Sequence, residues 1–203
     1  TEDMVFDAND GQITLGAITA SRSGGMGEID FDLDGGNVTV ASLDITSSGT
    51  LNGNRAVTID VDGASNFTCS GDLTITMTGG DDFRVGLNRN SGTTGQFNCN
   101  GNLNVTQSSG DGIDFYVYEN SQFNVGSDLT VTQSGGRAFI WDLDDGGSVD
   151  IGGNFLFNHS NGDNSEIDLQ AGSTVSFNVD GTFTINNTGG GDELVMDLNG
   201  GDM

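Results

Sequence analysis

The 203-residue chain contains 34 Gly and no Pro, and five Arg with no Lys face 30 acidic groups for a formal net charge of -25. A balance this acidic repels phosphate and argues against a nucleic-acid partner, and no apolar run approaches the roughly 18 residues needed to cross a bilayer. Ile, Val, Leu and 12 Phe are nevertheless placed regularly between polar residues, which points to an ordered β protein rather than a disordered acidic chain. Divalent cations or high salt would be needed to screen its surface carboxylates.

The chain opens on a short alternating strand, Met4-Val5-Phe6-Asp7-Ala8, and then repeats itself. Gln96-Phe97-Asn98-Cys99 followed by Asn102-Leu103-Asn104-Val105-Thr106-Gln107 returns 26 residues later as Gln122-Phe123-Asn124-Val125 followed by Asp128-Leu129-Thr130-Val131-Thr132-Gln133. Equivalent apolar positions fall at Ile13, Val38, Phe67, Phe97, Phe123, Val149 and Phe177, at spacings of 25, 29, 30, 26, 26 and 28. A fixed period in this range is the signature of stacked repeats.

Within each copy three segments alternate apolar and polar residues, the period of strands with one buried face. Segment A carries pairs such as Phe67/Cys69 and Phe123/Val125, and B carries Leu73/Ile75, Leu129/Val131 and Phe183/Ile185. Segment C carries triplets such as Ile29/Phe31/Leu33, Phe83/Val85/Leu87, Ile113/Phe115/Val117 and Leu194/Met196/Leu198. Gly, Asn, Asp and Ser fill the turns, with Gly79-Gly80, Gly135-Gly136 and Gly189-Gly190-Gly191 at the B-to-C corner.

One such unit cannot bury its apolar side alone, whereas stacked units share a continuous core. The pattern predicts an all-β single-stranded parallel β-helix (β-solenoid), three strands per coil and about seven coils of 25–30 residues, as a single domain over residues 1–203. An antiparallel sandwich is the competing fold. Both ends read as cut from the pattern, which predicts a segment of a longer solenoid with flanking coils, or a subunit that stacks on itself head to tail. No basic-then-apolar signal segment opens the sequence, so export would need a signal removed or lying elsewhere.

In this register face C collects Asp30, Asp32, Asp60, Asp114, Asp142, Glu166, Asp168 and Asp197 outward, with Asp34, Asp62 and Asp144 at the following turn. Carboxylates one strand apart repel unless they bind a cation or take up protons. Calcium is the candidate cofactor, with Asp30, Asp32, Asp34, Asp60, Asp62, Asp142, Asp144 and Asp145 as its candidate ligands. The Asp30–Gly35 and Asp142–Gly146 stretches echo calcium loops but lack the downstream Glu of an EF-hand, and a simply solvated acidic face is the competing reading.

Face B presents Thr74, Thr76, Thr106, Thr130, Thr132 and Thr184 as a ladder, interrupted by Asp44 and Leu156. Flat Thr-x-Thr arrays resemble those of ice-binding solenoids, although Thr is also simply a good strand residue. Cys69 and Cys99 fall at the same inward place on consecutive coils. They form a disulfide if their β-carbons close to about 3.5–4.5 Å, or remain stacked buried thiols acting as small hydrophobes. His159, the sole histidine, reads as a turn residue. With no Lys and one His, no triad or histidine-rich metal site can be assembled, and an acid pair drawn from 30 carboxylates is an almost empty glycosidase signal, with a carbohydrate-binding or carbohydrate-active β-helix as the alternative reading. The expectation is a non-enzyme.

The phrases Gly11-Gln12-Ile13-Thr14-Leu15-Gly16-Ala17-Ile18-Thr19, Gly71-Asp72-Leu73-Thr74-Ile75-Thr76 and Gly101-Asn102-Leu103-Asn104-Val105-Thr106 resemble the repeats of filamentous-haemagglutinin-type and autotransporter β-helical surface adhesins. The resemblance covers nearly the whole chain through its repeat grammar. It implies an extracellular, cell-surface location, a right-handed coil and a stalk role that holds binding regions away from the cell, and surface glycans are the candidate partners beside self-stacking or flanking coils. No secretion domain or membrane barrel of those families is recognisable in the sequence, so the export route does not carry over.

Overall fold

The computed structural model describes residues 3–23, 27–48, 56–79, 82–88, 93–110, 112–135, 138–160, 165–169, 174–188 and 194–197. Every regular element among them is a strand. The first coils comprise β1 (Met4–Asn9), β2 (Gln12–Ser23), β3 (Ile29–Asp34), β4 (Asn37–Ser48) and β5 (Val57–Asp62). Next come β6 (Asn66–Cys69), β7 (Leu73–Met77), β8 (Phe83–Leu87), β9 (Gln96–Cys99), β10 (Leu103–Gln107) and β11 (Gly112–Val117). They are followed by β12 (Gln122–Val125), β13 (Leu129–Gln133), β14 (Ala138–Leu143), β15 (Ser148–Ile151), β16 (Phe155–His159) and β17 (Ser165–Leu169). The last are β18 (Ser176–Val179), β19 (Phe183–Asn187) and β20 (Leu194–Asp197).

All strand pairs are parallel, and each joins a strand to its equivalent one coil away, which makes the chain a β-solenoid. Segment C forms an eight-stranded sheet in the order β1-β3-β5-β8-β11-β14-β17-β20. Segments A and B belong to one twelve-stranded sheet, because β2 and β4 each run through both segments as a 12-residue strand. From β6 onward A and B are separate strands.

The register follows the repeat spacing. Ile13 opposes Val38, Val38 opposes Phe67, Phe67 opposes Phe97, and the column continues through Phe123 and Val149 to Phe177. Alternation explains why no other register competes: a slip of one residue would turn Phe67, Phe97 and Phe123, all fully buried, to solvent. These rings instead stack along the axis, with centroids 5.5 Å apart between Phe67 and Phe97 and 4.7 Å between Phe97 and Phe123. Farther along, Trp141 packs edge-on against Phe115, Phe123, Phe155 and Phe177 at 4.9–5.7 Å.

The corners differ in kind. At the C-to-A corner a left-handed residue recurs coil after coil: Asp10, Gly35, Gly63, Asn88, Asn120 and Asp145 all have positive φ. Gly35, at φ 82°, takes this left-handed conformation without strain, and a Cβ there would come within 2.4 Å of Asp10 Oδ1 and force that carboxylate aside. At the B-to-C corner Gly79 and Gly135 lie where the repeat places them, while Gly80, Gly136 and the Gly189–Gly191 run lie outside the described residues, as does Leu198 of the last C triplet.

Candidate functional site

Each outward face is a set of columns, one residue per coil, and the columns decide what the faces can do. On sheet C one column reads Asp7, Asp32, Asp60, Gly86, Tyr116, Asp142, Asp168, Asp197, and its neighbour reads Val5, Asp30, Thr58, Arg84, Asp114, Ile140, Glu166, Val195. Asn9, Asp34 and Asp62 begin a third. The eight acids proposed as ligands are therefore split. Asp30, Asp32, Asp34, Asp60 and Asp62 sit together on β3 and β5, whereas Asp142, Asp144 and Asp145 lie on β14 and its following turn, with β8 and β11 between the two groups.

The first group is electrostatically stressed. Burial, then the charges of Glu28, Asp32 and Asp60, push the Asp30 carboxyl from 3.8 up to about 6, against a lowering by Arg84. Asp32 is raised too, by burial first and then by Asp60, Asp7 and Asp34. Arg84 relieves part of this crowding. It is only 5 % exposed, its Nε donates to Asp60 Oδ1 at 3.1 Å, and its NH2 group pairs with Oδ2 of the same carboxylate. Gly86, opposite Asp60, adds no side chain to obstruct this fork. In the second group Asp142 accepts from the Tyr118 hydroxyl, and Asp144 accepts from the Asp145 N–H at 2.7 Å. Among the described residues no three acidic, histidine or cysteine groups converge to hold a metal ion. The acids form ladders rather than a cage.

On face B the register assembles one unbroken run of threonines, Thr46, Thr76, Thr106 and Thr132, which continues into Asn158 and Asn186. The adjacent column holds Thr74, Thr130 and Thr184 but is broken by Asp44, Asn104 and Leu156. The threonine array is thus one column deep where it is continuous.

Cys69 and Cys99 are directly opposed across β6 and β9. Both are buried, and both are free thiols. A hydrogen bond with Cys99 pulls the Cys69 thiol below its ordinary value despite burial, while the same bond together with burial pushes Cys99 well up.

Two arrangements escaped the sequence reading. The first is polar and internal. β10, β13 and β16 each end on a third inward position, so Gln107, Gln133 and His159 stack in register inside the core. Gln133 Nε2 donates to Gln107 Oε1 at 3.0 Å and to Ala138 O at 3.2 Å. His159 is therefore no turn residue: β16 carries it inward at only 3 % exposure, where its ring stacks on Phe157 at 5.7 Å beside a recess of about 480 Å³. Its two nitrogens and Gln133 Oε1 have no hydrogen-bond partner. The available signal was the five-residue B phase Leu-x-Val-x-Gln, hidden because its last inward residue is polar.

The second arrangement lines the A-to-B corner. Asp72 Oδ1 accepts from the Asn102 backbone and side-chain amides at 2.8 and 3.1 Å, and Asn102 Oδ1 accepts from the Asp128 backbone at 3.3 Å. Asp128 Oδ1 accepts from the Asn154 backbone and side chain at 2.7 and 3.0 Å, and Asn154 Oδ1 accepts from the Thr182 backbone at 2.9 Å. Asp and Asn alternate along the axis, so each carboxylate is followed by an amide that can donate to it and no two carboxylates stack.

The fold and its faces define a parallel β-solenoid repeat protein. No protein-family model matches the chain, and no curated protein or solved structure matches it either.

Proposed function

We propose that the chain is a non-enzymatic structural segment of an extracellular fibre or adhesin stalk. One observation carries this reading: strand after strand pairs in register with its equivalent one coil away, and among the described residues the outermost strands of the stack each have one unpaired edge. Such an edge offers N–H and C=O groups to another strand, so a further coil or a second copy stacked head to tail can continue the rod. The resemblance to surface adhesins supports an exported setting in which the stalk holds glycan-binding regions outward. On face C calcium and other divalent cations act as counterions to the carboxylate ladders, a role that needs no closed coordination cage.

Electron microscopy at rising protein concentration tests the stalk reading. Filaments with a repeat of about 4.8 Å along the axis are expected, and discrete short rods at every concentration would overturn self-stacking. For the cations, adding chelator at low salt should lower the melting temperature; no change would show the face to be merely solvated.

The continuous column Thr46, Thr76, Thr106 and Thr132 favours a second reading, ice binding. It requires that the chain shape ice crystals and that Thr106→Tyr abolish the shaping; unshaped crystals with the unaltered chain would remove it.

A further inference from the structure

We propose that Cys69 and Cys99 are a redox pair that closes into an inter-coil disulfide when the solenoid folds in an oxidising medium. Placement is the first support. These are the two cysteines of the whole sequence, and they occupy one inward column on consecutive coils. The column is filled elsewhere by Leu15, Val40, Val125, Ile151 and Val179. A core that needed only a small apolar residue is served by valine one coil earlier and one coil later.

Convergence is the second support. Both sulfurs lie against the same carbonyl, Gly71 O, at 3.5 Å from Cys69 Sγ and 3.6 Å from Cys99 Sγ. Each also reaches the carbonyl of its own corner, Asp72 O and Asn102 O, at 3.4 Å. The rotamers therefore already point the two sulfurs to one spot. Neighbouring strands stand about 4.8 Å apart, inside the Cα separation of about 4.4–6.8 Å that a disulfide spans. What remains is a closure of the β-carbons to about 3.8 Å. Each cysteine is the last residue of its strand, immediately before the A-to-B corner.

Either thiol can react first, because the hydrogen bond between them exists only once the coils have closed. With oxidised glutathione as the oxidant and Cys69 reacting first, Cys69 Sγ bonds to one glutathione sulfur, the glutathione disulfide breaks, and one glutathione thiolate leaves. As β9 docks on β6, Cys99 loses its proton to solvent, and its sulfur attacks Cys69 Sγ and expels the second glutathione. Two protein thiols are oxidised and one glutathione disulfide is reduced to two thiols. Because both sulfurs are sealed in the folded core, the exchange belongs to the folding step, before the coils close over them.

The experiment refolds the full chain from denaturant into a buffer of reduced and oxidised glutathione, followed by acid quench, denaturing alkylation with N-ethylmaleimide and mass spectrometry. The expected product carries no maleimide, yields a peptide joining Cys69 to Cys99, and melts several degrees above its reduced form. Cys99→Val, which installs the residue of the neighbouring coils, should leave Cys69 free or bound to glutathione. A folded product with two maleimides, or with glutathione retained on either cysteine, overturns the proposal. The same weighing of chain directed to an oxidising compartment during expression needs no refolding step and carries the same two outcomes. Neither measurement depends on whether the protein is a stalk, so the two proposals fail separately.

Discussion

The first two coils and those that follow solve the same stacking problem with different chemistry. In β4 the inward residues Val40 and Leu43 are separated by two residues, Ala41 and Ser42, and the strand runs through the corner unbroken. In the next coil three residues, Ser70, Gly71 and Asp72, separate the inward Cys69 and Leu73, and A and B become distinct strands. That one added residue creates the place for the Asx ladder, since Asp72, Asn102, Asp128 and Asn154 all occupy the last corner position before segment B. The early coils carry the crowded carboxylates outside an interior dominated by Val, Ile and Leu, whereas the later coils carry the aromatic stack and the internal Gln107–Gln133–His159 column. Cohesion in the early region is limited by charge on its surface. In the later region it comes from ring packing and hydrogen bonds directed along the axis.

Removing an aromatic from the later region should break this contrast most severely. Phe123 is fully buried between Phe97 and Trp141, and Phe123→Ala should cost about 3–5 kcal/mol in denaturant unfolding. An equal cost for Val40→Ala would mean that the two cores are alike.

Where the two regions meet, Arg84 on β8 reaches back to Asp60 on β5, and Arg84→Ala should cause the next largest loss. It strands Asp60 and leaves Asp30 without its one favourable charge, for a cost of about 3 kcal/mol. Adding Asp60→Asn to that variant should recover part of the loss, and no recovery would mean that Arg84 acts by packing alone.

Asn102→Asp tests the alternation at the A-to-B corner. It would stack a carboxylate between Asp72 and Asp128 and remove the side-chain one of the two donors to Asp72. We expect a loss of about 1 kcal/mol at low ionic strength that shrinks as salt is added. Asn154→Asp should behave alike, and a salt-independent loss would show that repulsion is not its cause.

The smallest effect is a gain. The folded chain holds the Asp30 proton more tightly than the unfolded chain does, so the stability contributed by that proton is fully present below about 3.8 and is lost as pH rises through about 6. Stability should therefore increase on acidification across this window. Asp30→Asn should stabilise the chain at pH 7 by about 1 kcal/mol, the effect being reduced by solvent because the group is half-buried. It should also flatten the pH dependence between those limits; an unchanged slope would place the titrating group elsewhere.

The amino-acid sequence by itself determined the parallel solenoid, its period and its register. Alternation marks which apolar residues face inward, and a coil can satisfy that alternation only by stacking on the equivalent positions of the next, as the Ile13-to-Phe177 column does. The Thr ladder and the opposed cysteines followed from the same register. The tertiary structure decided everything that depends on a polar residue's neighbour one coil away. It turned His159 and Gln133 inward, paired Arg84 with Asp60 rather than leaving an acid-only face, and placed the left-handed residues at the C-to-A corner. It also divided the candidate calcium ligands into two separated groups, one on β3 and β5 and one on β14 and its following turn. Apolar burial repeats with the strand period and is visible along the chain. Hydrogen bonds and charge pairs are set by contacts 24–33 residues away in sequence, and the same Asn, Asp or Gln can face water or core until those contacts form.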